Sequence, residues 1–189
     1  ACARLLTGRA VPSGKLTESW PESHRDVICR DTFGQKDPEY RESIYVGYRY
    51  YDTAQKPVAF PFGHGLSYTQ FSYSGLTVSL REVSALITNT GDRPGAEVVQ
   101  LYIAPPPGGL HRPVRELKGF ARVELAPGES KRVSFPLNDR SFALWDNGWK
   151  VPGGTYRVHV ASSSRDLRLE GELVLPGPPL PRRMKGSWY

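Results

Sequence analysis

The residues best suited to bind a ligand lie in a short aromatic run at residues 45–51. Tyr48 and Tyr50 offer flat apolar faces, and Arg49 between them offers a fork of hydrogen-bond donors. Sugars bind to aromatic faces and to such polar forks, so the run predicts a substrate-binding surface. The alternative is that the same side chains pack this part of the chain onto its neighbours.

A second aromatic pair, Trp145 and Trp149, lies in the sequence FALWDNGWKV. The residues Asp146, Asn147 and Gly148 between the two tryptophans predict a hairpin turn. We expect Trp145 in the core and Trp149 half exposed, which makes Trp149 the better candidate for a ligand contact.

His64 stands between Gly63 and Gly65, and no nucleophile lies near it in the sequence. We expect both glycines to adopt positive φ angles at a hinge between domains. A structural role for His64 is therefore favoured over a catalytic one.

Neither a metal site nor a nucleic-acid surface is indicated. The four histidines are far apart and no CxxC motif occurs. The formal net charge is +6, but Arg and Lys are scattered and often adjoin Glu or Asp, whereas nucleic-acid binders concentrate them on one face. Cys2 and Cys29 could form one bridge or remain free thiols. No apolar run approaches the ~18 residues that a membrane span needs.

From residue 68 onward, strand-like segments alternate with turn signals, among them NTGD (89–92), APGE (126–129) and PGG (152–154). About seven short strands over roughly 105 residues are typical of a two-sheet immunoglobulin-like or fibronectin type III-like sandwich. The absence of cysteine from these residues favours the fibronectin-like variant. The predicted strands are residues 71–80, 82–91, 95–104, 117–125, 131–137, 154–162 and 167–175.

Strand alternation points one set of apolar side chains toward a shared core. The predicted core residues are Leu86, Val98, Leu101, Phe120, Val123, Phe135, Leu144, Trp145, Tyr156 and Val158.

Residues 1–66 show little periodicity. Residues 3–6 resemble the end of a helix stopped by Gly8, and the composition of residues 40–52 favours extended structure. The region is too long and irregular to pack alone, so we expect it to wrap on something outside this chain. The chain starts within a helix and ends on two aromatic residues, so we expect it to be cut at both ends.

Eight motifs, in order, carry a resemblance to one enzyme family. They are PSGKLTESWP (12–21), YRESIYVGYRYYD (40–52), FPFGHGLSYTQF (60–71), TNTGDRPGAEVVQLYI (88–103), RPVRELKGF (112–120), LAPGESKRVSFPL (125–137), ALWD (143–146) and GTYRVHVASSSRD (154–166). In this order they resemble the C-terminal region of glycoside hydrolase family 3, over residues 1–175.

The resemblance implies a parent enzyme with a catalytic barrel, an α/β sandwich domain and a fibronectin type III-like domain. Residues 1–66 would be the terminal segment of the α/β sandwich domain, 67–176 the fibronectin type III-like domain, and 177–189 a Pro-rich tail or linker. The expected fold class is mainly β: a fibronectin type III-like antiparallel β-sandwich preceded by the end of an α/β sandwich domain.

Members of this family are typically β-glucosidases that retain anomeric configuration and need no cofactor. Retention requires two carboxyl groups, and the resemblance places one on the barrel and the other upstream of the PSGKL motif. Neither position lies in this chain, so we expect no catalytic residue here. Structural roles are expected for Glu42, Asp52, Asp92 and Glu129.

The implied partners are the rest of the parent enzyme and, through it, a β-glucoside substrate. This portion would stabilise the enzyme and border the substrate entrance. A separate carbohydrate- or protein-binding module and a structural spacer remain as alternatives. With no signal segment in the sequence, secreted and cytoplasmic locations both remain open, and the tail either leads into a further domain or lies along the enzyme.

Overall fold

The computed structural model describes residues 2–108 and 111–178, so the predicted Pro-rich tail lies outside the described residues from position 179 onward. A short 3-10 helix covers His24–Asp26. The remaining elements, in chain order, are α1 (Cys2–Leu6), β1 (Trp20–Pro21), α2 (Tyr48–Thr53), β2 (Val58–Phe60), β3 (Phe71–Val78), β4 (Glu82–Asn89), β5 (Gly95–Ala104), β6 (Glu116–Leu125), β7 (Ser130–Pro136), α3 (Asp139–Phe142), β8 (Leu144–Trp145), β9 (Trp149–Lys150), β10 (Gly154–Ala161) and β11 (Leu167–Leu175).

Two antiparallel sheets form a β-sandwich, as the sequence predicted. One sheet has four strands in the order β11-β10-β5-β6, and the other has three in the order β3-β4-β7. Each of the seven predicted strands is present within two residues of its predicted ends. The two-residue strands β1 and β2 pair with each other, and so do β8 and β9.

The side chain of Asn89, at the end of β4, bonds both within its own turn and to two distant segments. Its side-chain amide donates to the carbonyl oxygens of Arg93 at 2.7 Å and Leu125 at 3.0 Å. Its side-chain oxygen accepts from the Gly91 amide at 3.1 Å and from Thr69 Oγ1 at 2.6 Å. Asn89 is fully buried, so these four bonds satisfy a polar group that would otherwise destabilise the fold.

The core lies between the two sheets, and half of its predicted members are correct. Leu101, Val123, Phe135, Tyr156 and Val158 are buried there, together with Val83, Ala85, Ile87, Val99, Ile103 and Phe142. The predictions for Leu86, Val98, Phe120, Leu144 and Trp145 were wrong.

Three of these errors have a common cause in the facing of the strand residues. On β4 the inward residues are Val83, Ala85 and Ile87, so Leu86 faces the other way. Val98 and Phe120 likewise lie on the outer face of the four-stranded sheet, where Phe120 is 70% exposed. When both faces of a strand carry apolar residues, the pattern does not say which face is inward.

Part of the outer face of the four-stranded sheet is covered by residues 2–66, which we call the lead segment. Tyr48 of α2 and Phe62 pack there on Tyr102, Leu117 and Ala161. Tyr102 is fully buried, and its hydroxyl donates to Gln100 Oε1 at 2.6 Å. The expectation that residues 1–66 have no packing partner within the chain was therefore incomplete.

Gly63 and Gly65 of the lead segment lie so close to neighbouring atoms that neither position has room for a side chain. Gly63 has φ +77°, and a Cβ there would meet the Gln100 side chain. Gly65 does not have the predicted positive φ, but a Cβ there would lie 2.5 Å from the Gly14 carbonyl oxygen. Both positions therefore exclude larger residues where the lead segment folds against itself and the sheet.

The chain start agrees with the sequence analysis, since α1 ends at Leu6 and Gly8 follows with φ +70°. Cys2 and Cys29 are free thiols, which settles the alternative left open above. None of the described helices is long and apolar enough to cross a membrane.

Two adjacent residues of β4 offer a direct test of the sandwich core. Ile87→Ala should lower the free energy of unfolding by about 2–5 kcal/mol, because a fully buried side chain is lost and a cavity remains. Leu86→Ala removes a similar volume from the opposite, less buried face and should cost less than half as much. Urea unfolding followed by circular dichroism measures both, and an equal or larger loss for Leu86→Ala would contradict the assigned register.

Candidate functional site

The aromatic run that the sequence analysis singled out forms a helix. Residues 40–52 were expected to be extended, but Tyr48–Thr53 form α2, with the Tyr50 amide donating to the Gly47 carbonyl at 3.0 Å. Gly47 has φ +57°, which lets the chain turn sharply into the helix. The propensity of aromatic residues for strands is weak and is overridden here by packing on the sheet.

Tyr48 lies at the base of α2, against the sandwich. Only 9% of it is exposed, its ring stacks on Phe62 at 4.7 Å, and its hydroxyl accepts from the Leu117 amide at 2.8 Å. This placement fits the docking alternative for Tyr48, because its ring faces and its hydroxyl already have partners.

Arg49 joins a cluster of cations around one carboxylate of β6. Its Nη2 lies 3.5 Å from Glu116 Oε1, while Arg112 Nη2 and Lys118 Nζ lie 3.2 and 3.3 Å from Glu116 Oε2. Burial acts to raise the pKa of Glu116, but Lys118, Arg112 and Arg49 outweigh it and the pKa lies below its ordinary value. Arg49 thus fixes one side of α2 to the sheet while a third of its side chain stays exposed.

Tyr50 faces a different surface, which we call the α2 groove. The groove has a volume of about 410 Å³ and is lined by Ile28, Arg41, Glu42, Tyr45, Tyr50, Thr53, Ala54 and His111. Tyr45 and Tyr50 give it aromatic walls, and Arg41 and Glu42 give it a polar rim. Such a combination suits a ligand with both apolar faces and hydroxyl groups.

Two contacts hold the walls of the α2 groove in place. The Tyr45 ring packs on His111 with centroids 5.0 Å apart, and burial raises the pKa of the Tyr45 hydroxyl, which has no hydrogen-bond partner among the described residues. The Cys29 thiol donates to Glu42 Oε2 at 2.8 Å, a hydrogen bond that lowers the pKa of Glu42. Among the described residues, Glu42 is the sole carboxylate that lines the α2 groove, so these residues offer no acid/base pair there.

Trp149 lies on another element, the β8–β9 hairpin, whose turn at Asp146, Asn147 and Gly148 agrees with the prediction. Trp149 is 55% exposed, as expected, and the Arg140 guanidinium lies 3.3 Å from its ring centroid. Trp145 is 66% exposed and meets Trp149 edge-on at 5.4 Å, so its expected burial was wrong. One face of Trp149 is therefore occupied within the chain.

Sequence reasoning missed Ile28, Tyr45 and His111 as groove residues. Tyr45 lay in the aromatic run and could have been included. His111 comes from the connection between β5 and β6, and no local pattern joins it to a segment about 60 positions earlier.

Structural roles were predicted for four carboxylates, and three of them bond to other groups of the chain. Asp52 binds Arg165, Glu129 Oε2 accepts from the Ala126 amide at 2.7 Å, and Glu42 accepts from Cys29. Asp92 is exposed at its turn. Among the described residues, no group of three or more His, Cys, Asp or Glu side chains could hold a metal ion.

Comparison with known proteins places these features in a larger context. Residues 97–164 match the fibronectin type III-like domain family. The chain is 47% identical over 180 residues to the probable β-glucosidase K of Emericella nidulans, which covers 92% of this chain and 22% of that protein. It is 42% identical over 187 residues to an exo-α-(1→6)-L-arabinopyranosidase of Bifidobacterium breve, covering 94% of this chain and 25% of that protein.

Solved structures give the same result. The crystal structure of a GH3 β-glucosidase of Bifidobacterium adolescentis has a TM-score of 0.87 and 39% identity, covering 98% of this chain and 29% of that one. The chain thus spans about a quarter of the length of the relatives it matches.

The ion pair between Asp52 of α2 and Arg165 generates a stability prediction. Arg165 Nε lies 2.7 Å from Asp52 Oδ1, and its Nη2 donates to the carbonyls of Tyr51 and Lys56. Arg165→Met should lower the free energy of unfolding by about 2–4 kcal/mol, because it leaves a sealed carboxylate without its cation. This range allows for the partial exposure of Arg165.

The matched control is Arg122→Met, which removes an arginine paired with Glu124 on the exposed surface. Its cost should stay below about 1 kcal/mol. Adding Asp52→Asn to Arg165→Met should recover part of the loss in a double-mutant cycle. Equal losses for Arg165→Met and Arg122→Met would show that the Asp52 pair does not fix α2.

Proposed function

Because the chain belongs to the C-terminal region of glycoside hydrolase family 3, we propose that it is the non-catalytic portion of a retaining β-glucosidase that removes terminal β-linked glucose from glycosides. The observation that carries this proposal is the fraction of each relative that the chain covers, 22% of one named β-glucosidase and 29% of another. The remaining three quarters of such a protein would supply the catalytic machinery.

The lead segment supports the view that this chain packs on further protein. The lead segment packs on the sandwich, but it also exposes many apolar side chains to water, which is typical of a surface that packs on another protein. More than half of the exposed large apolar side chains among the described residues lie in the lead segment: Leu6, Trp20, Val27, Phe33, Tyr40, Ile44, Val46, Phe60 and Leu66.

We assign the two parts of the chain as the resemblance implies. Residues 1–66 are the terminal segment of an α/β sandwich domain, and residues 67–176 are the fibronectin type III-like domain. The match of residues 97–164 to the fibronectin type III-like family lies within the second part. The sandwich stabilises the enzyme by holding the lead segment in place from one side.

The catalytic carboxyl groups come from the rest of the enzyme. A retaining mechanism needs two carboxyl groups about 5–5.5 Å apart across the scissile bond. The candidates in this chain are otherwise engaged, since Asp52, Glu97 and Glu116 each pair with a cation of the chain itself. We therefore assign no turnover to the chain alone.

This proposal is tested by comparing the 189-residue chain with a longer protein that contains it. The longer protein should hydrolyse p-nitrophenyl β-D-glucopyranoside with retention, followed by NMR of the first-formed anomer. The 189-residue chain, shown to be folded by circular dichroism, should release no p-nitrophenol above the buffer rate. Turnover by the short chain that is lost on substitution of one of its own carboxylates would contradict the proposal.

The α2 groove is the part of this chain that we propose borders the substrate entrance. In the longer enzyme, Tyr50→Ala should raise KM by about two- to tenfold while kcat and the melting temperature change little, since a stacking surface worth roughly 0.5–1.5 kcal/mol is removed. The measurement is the initial rate against substrate concentration, with cellobiose and an aryl glucoside compared.

Phe120→Ala is the matched control, because Phe120 is an aromatic residue of the sandwich, is 70% exposed and does not line the groove. Its KM should equal that of the unchanged enzyme. An unchanged KM together with a lowered melting temperature for Tyr50→Ala would assign Tyr50 to packing instead.

A further inference from the structure

A second cavity lies where the lead segment meets the sandwich, and we call it the junction cavity. Its volume is about 340 Å³, within the range of small-molecule sites. The lead segment contributes Lys15 and His64 to its lining, and the sandwich contributes Glu97 and Asp166. None of these residues belongs to the α2 groove.

The charges that line the junction cavity are balanced. Lys15 Nζ lies 2.8 Å from Glu97 Oε1, and Arg168 Nη2 lies 2.7 Å from Asp166 Oδ2. Two cations and two carboxylates give a net charge of zero when His64 is neutral. An anion would face two carboxylates and a metal ion two cations, so neither is favoured over a neutral ligand.

Both carboxylates keep acceptor capacity that no described residue uses. Lys15 and the Tyr73 hydroxyl, at 3.2 Å, both bind Oε1 of Glu97, and the bonds to Asp166 from Ser162 and Arg168 both go to Oδ2. The Glu97 side chain is only 9% exposed, and its Oε2 makes no hydrogen bond to the described residues.

Donors are available on the same walls. The Lys15 ammonium uses one of its three protons on Glu97, and the Gln70 side-chain amide makes no hydrogen bond to the described residues. Phe71 and Tyr73 line the cavity as well and contribute apolar ring surface. A ligand therefore meets acceptors, donors and an aromatic surface within one enclosure.

We propose that the junction cavity binds a neutral polyhydroxylated ligand, namely one unit of a saccharide. Each sugar hydroxyl can donate to a carboxylate oxygen and accept from an ammonium or amide, so it matches both sets of free groups. The carbon face of a pyranose can lie on an aromatic ring, and its lack of charge fits the balanced walls.

Binding in the junction cavity also couples the two parts of the chain. Because Lys15 and His64 belong to the lead segment and Glu97 and Asp166 to the sandwich, a bound ligand bridges both. A ligand that binds the assembled state and not the unfolded chain raises the melting temperature with its concentration.

The test is a titration of the 189-residue chain with D-glucose and with cellobiose. Saturation-transfer NMR should detect millimolar binding, and the melting temperature should rise with sugar concentration. Gln70→Ala, which removes an exposed side chain without a described bond, should weaken binding by about two- to tenfold, the value of one hydrogen bond. Glu97→Gln should weaken it at least as much.

Gln35→Ala is the matched control, since Gln35 is an exposed glutamine outside the cavity, and it should bind sugar like the unchanged chain. No binding up to tens of millimolar sugar would overturn the proposal. So would equal affinities for Gln70→Ala and the unchanged chain, or tighter binding of inorganic phosphate or Ca²⁺ than of either sugar. If Glu97→Gln fails to fold, Gln70→Ala alone decides the outcome.

Discussion

Strand β5 must be shielded from water on both of its faces, and the two parts of the chain each supply one cover. Leu101 faces the sandwich core and Tyr102 faces the opposite way, yet both are fully buried. An antiparallel sheet in a sandwich ordinarily leaves its outer face to solvent. Here that face carries an aromatic ring and a buried amide, Gln100, which would lose the Gly63 carbonyl as a hydrogen-bond acceptor if the lead segment were absent.

The polar contacts around this shielded face position the lead segment more than they stabilise it. Arg165 meets Asp52, Lys15 meets Glu97, and Arg49 meets Glu116, all across the same boundary. Pairs of this kind gain little over apolar packing, because each charge gives up its hydration. Breaking one of them is costly, however, so a shifted lead segment would leave several charges unpaired. The pairs thus select one placement of α2 and of the residues around Gly63.

Sequence reasoning succeeded where structure depends on neighbours in the chain. The Gly91 amide donates to Asn89 Oδ1 in the turn at residues 89–92, and the Glu129 amide donates to the Ala126 carbonyl in the turn at 126–129. Both turns delimit the strands correctly. It failed for α2, because that helix is held by Leu117 and Arg165, both far away in the sequence. It also failed at Leu86, because a strand with apolar residues on both faces satisfies either register.

The same distinction explains what could be predicted of the α2 groove. The aromatic run identified Tyr50, but the groove is closed by His111, which the sandwich supplies. The Leu117 amide fixes Tyr48, and Tyr48 begins the helix that carries Tyr50. The shape of the groove therefore depends on the sandwich, although the lead segment supplies its tyrosines. The matches to a relative named β-glucosidase and to one named arabinopyranosidase cover 92% and 94% of this chain, so a comparison of those two relatives at the α2 groove begins with the positions of Tyr45, Tyr50 and His111.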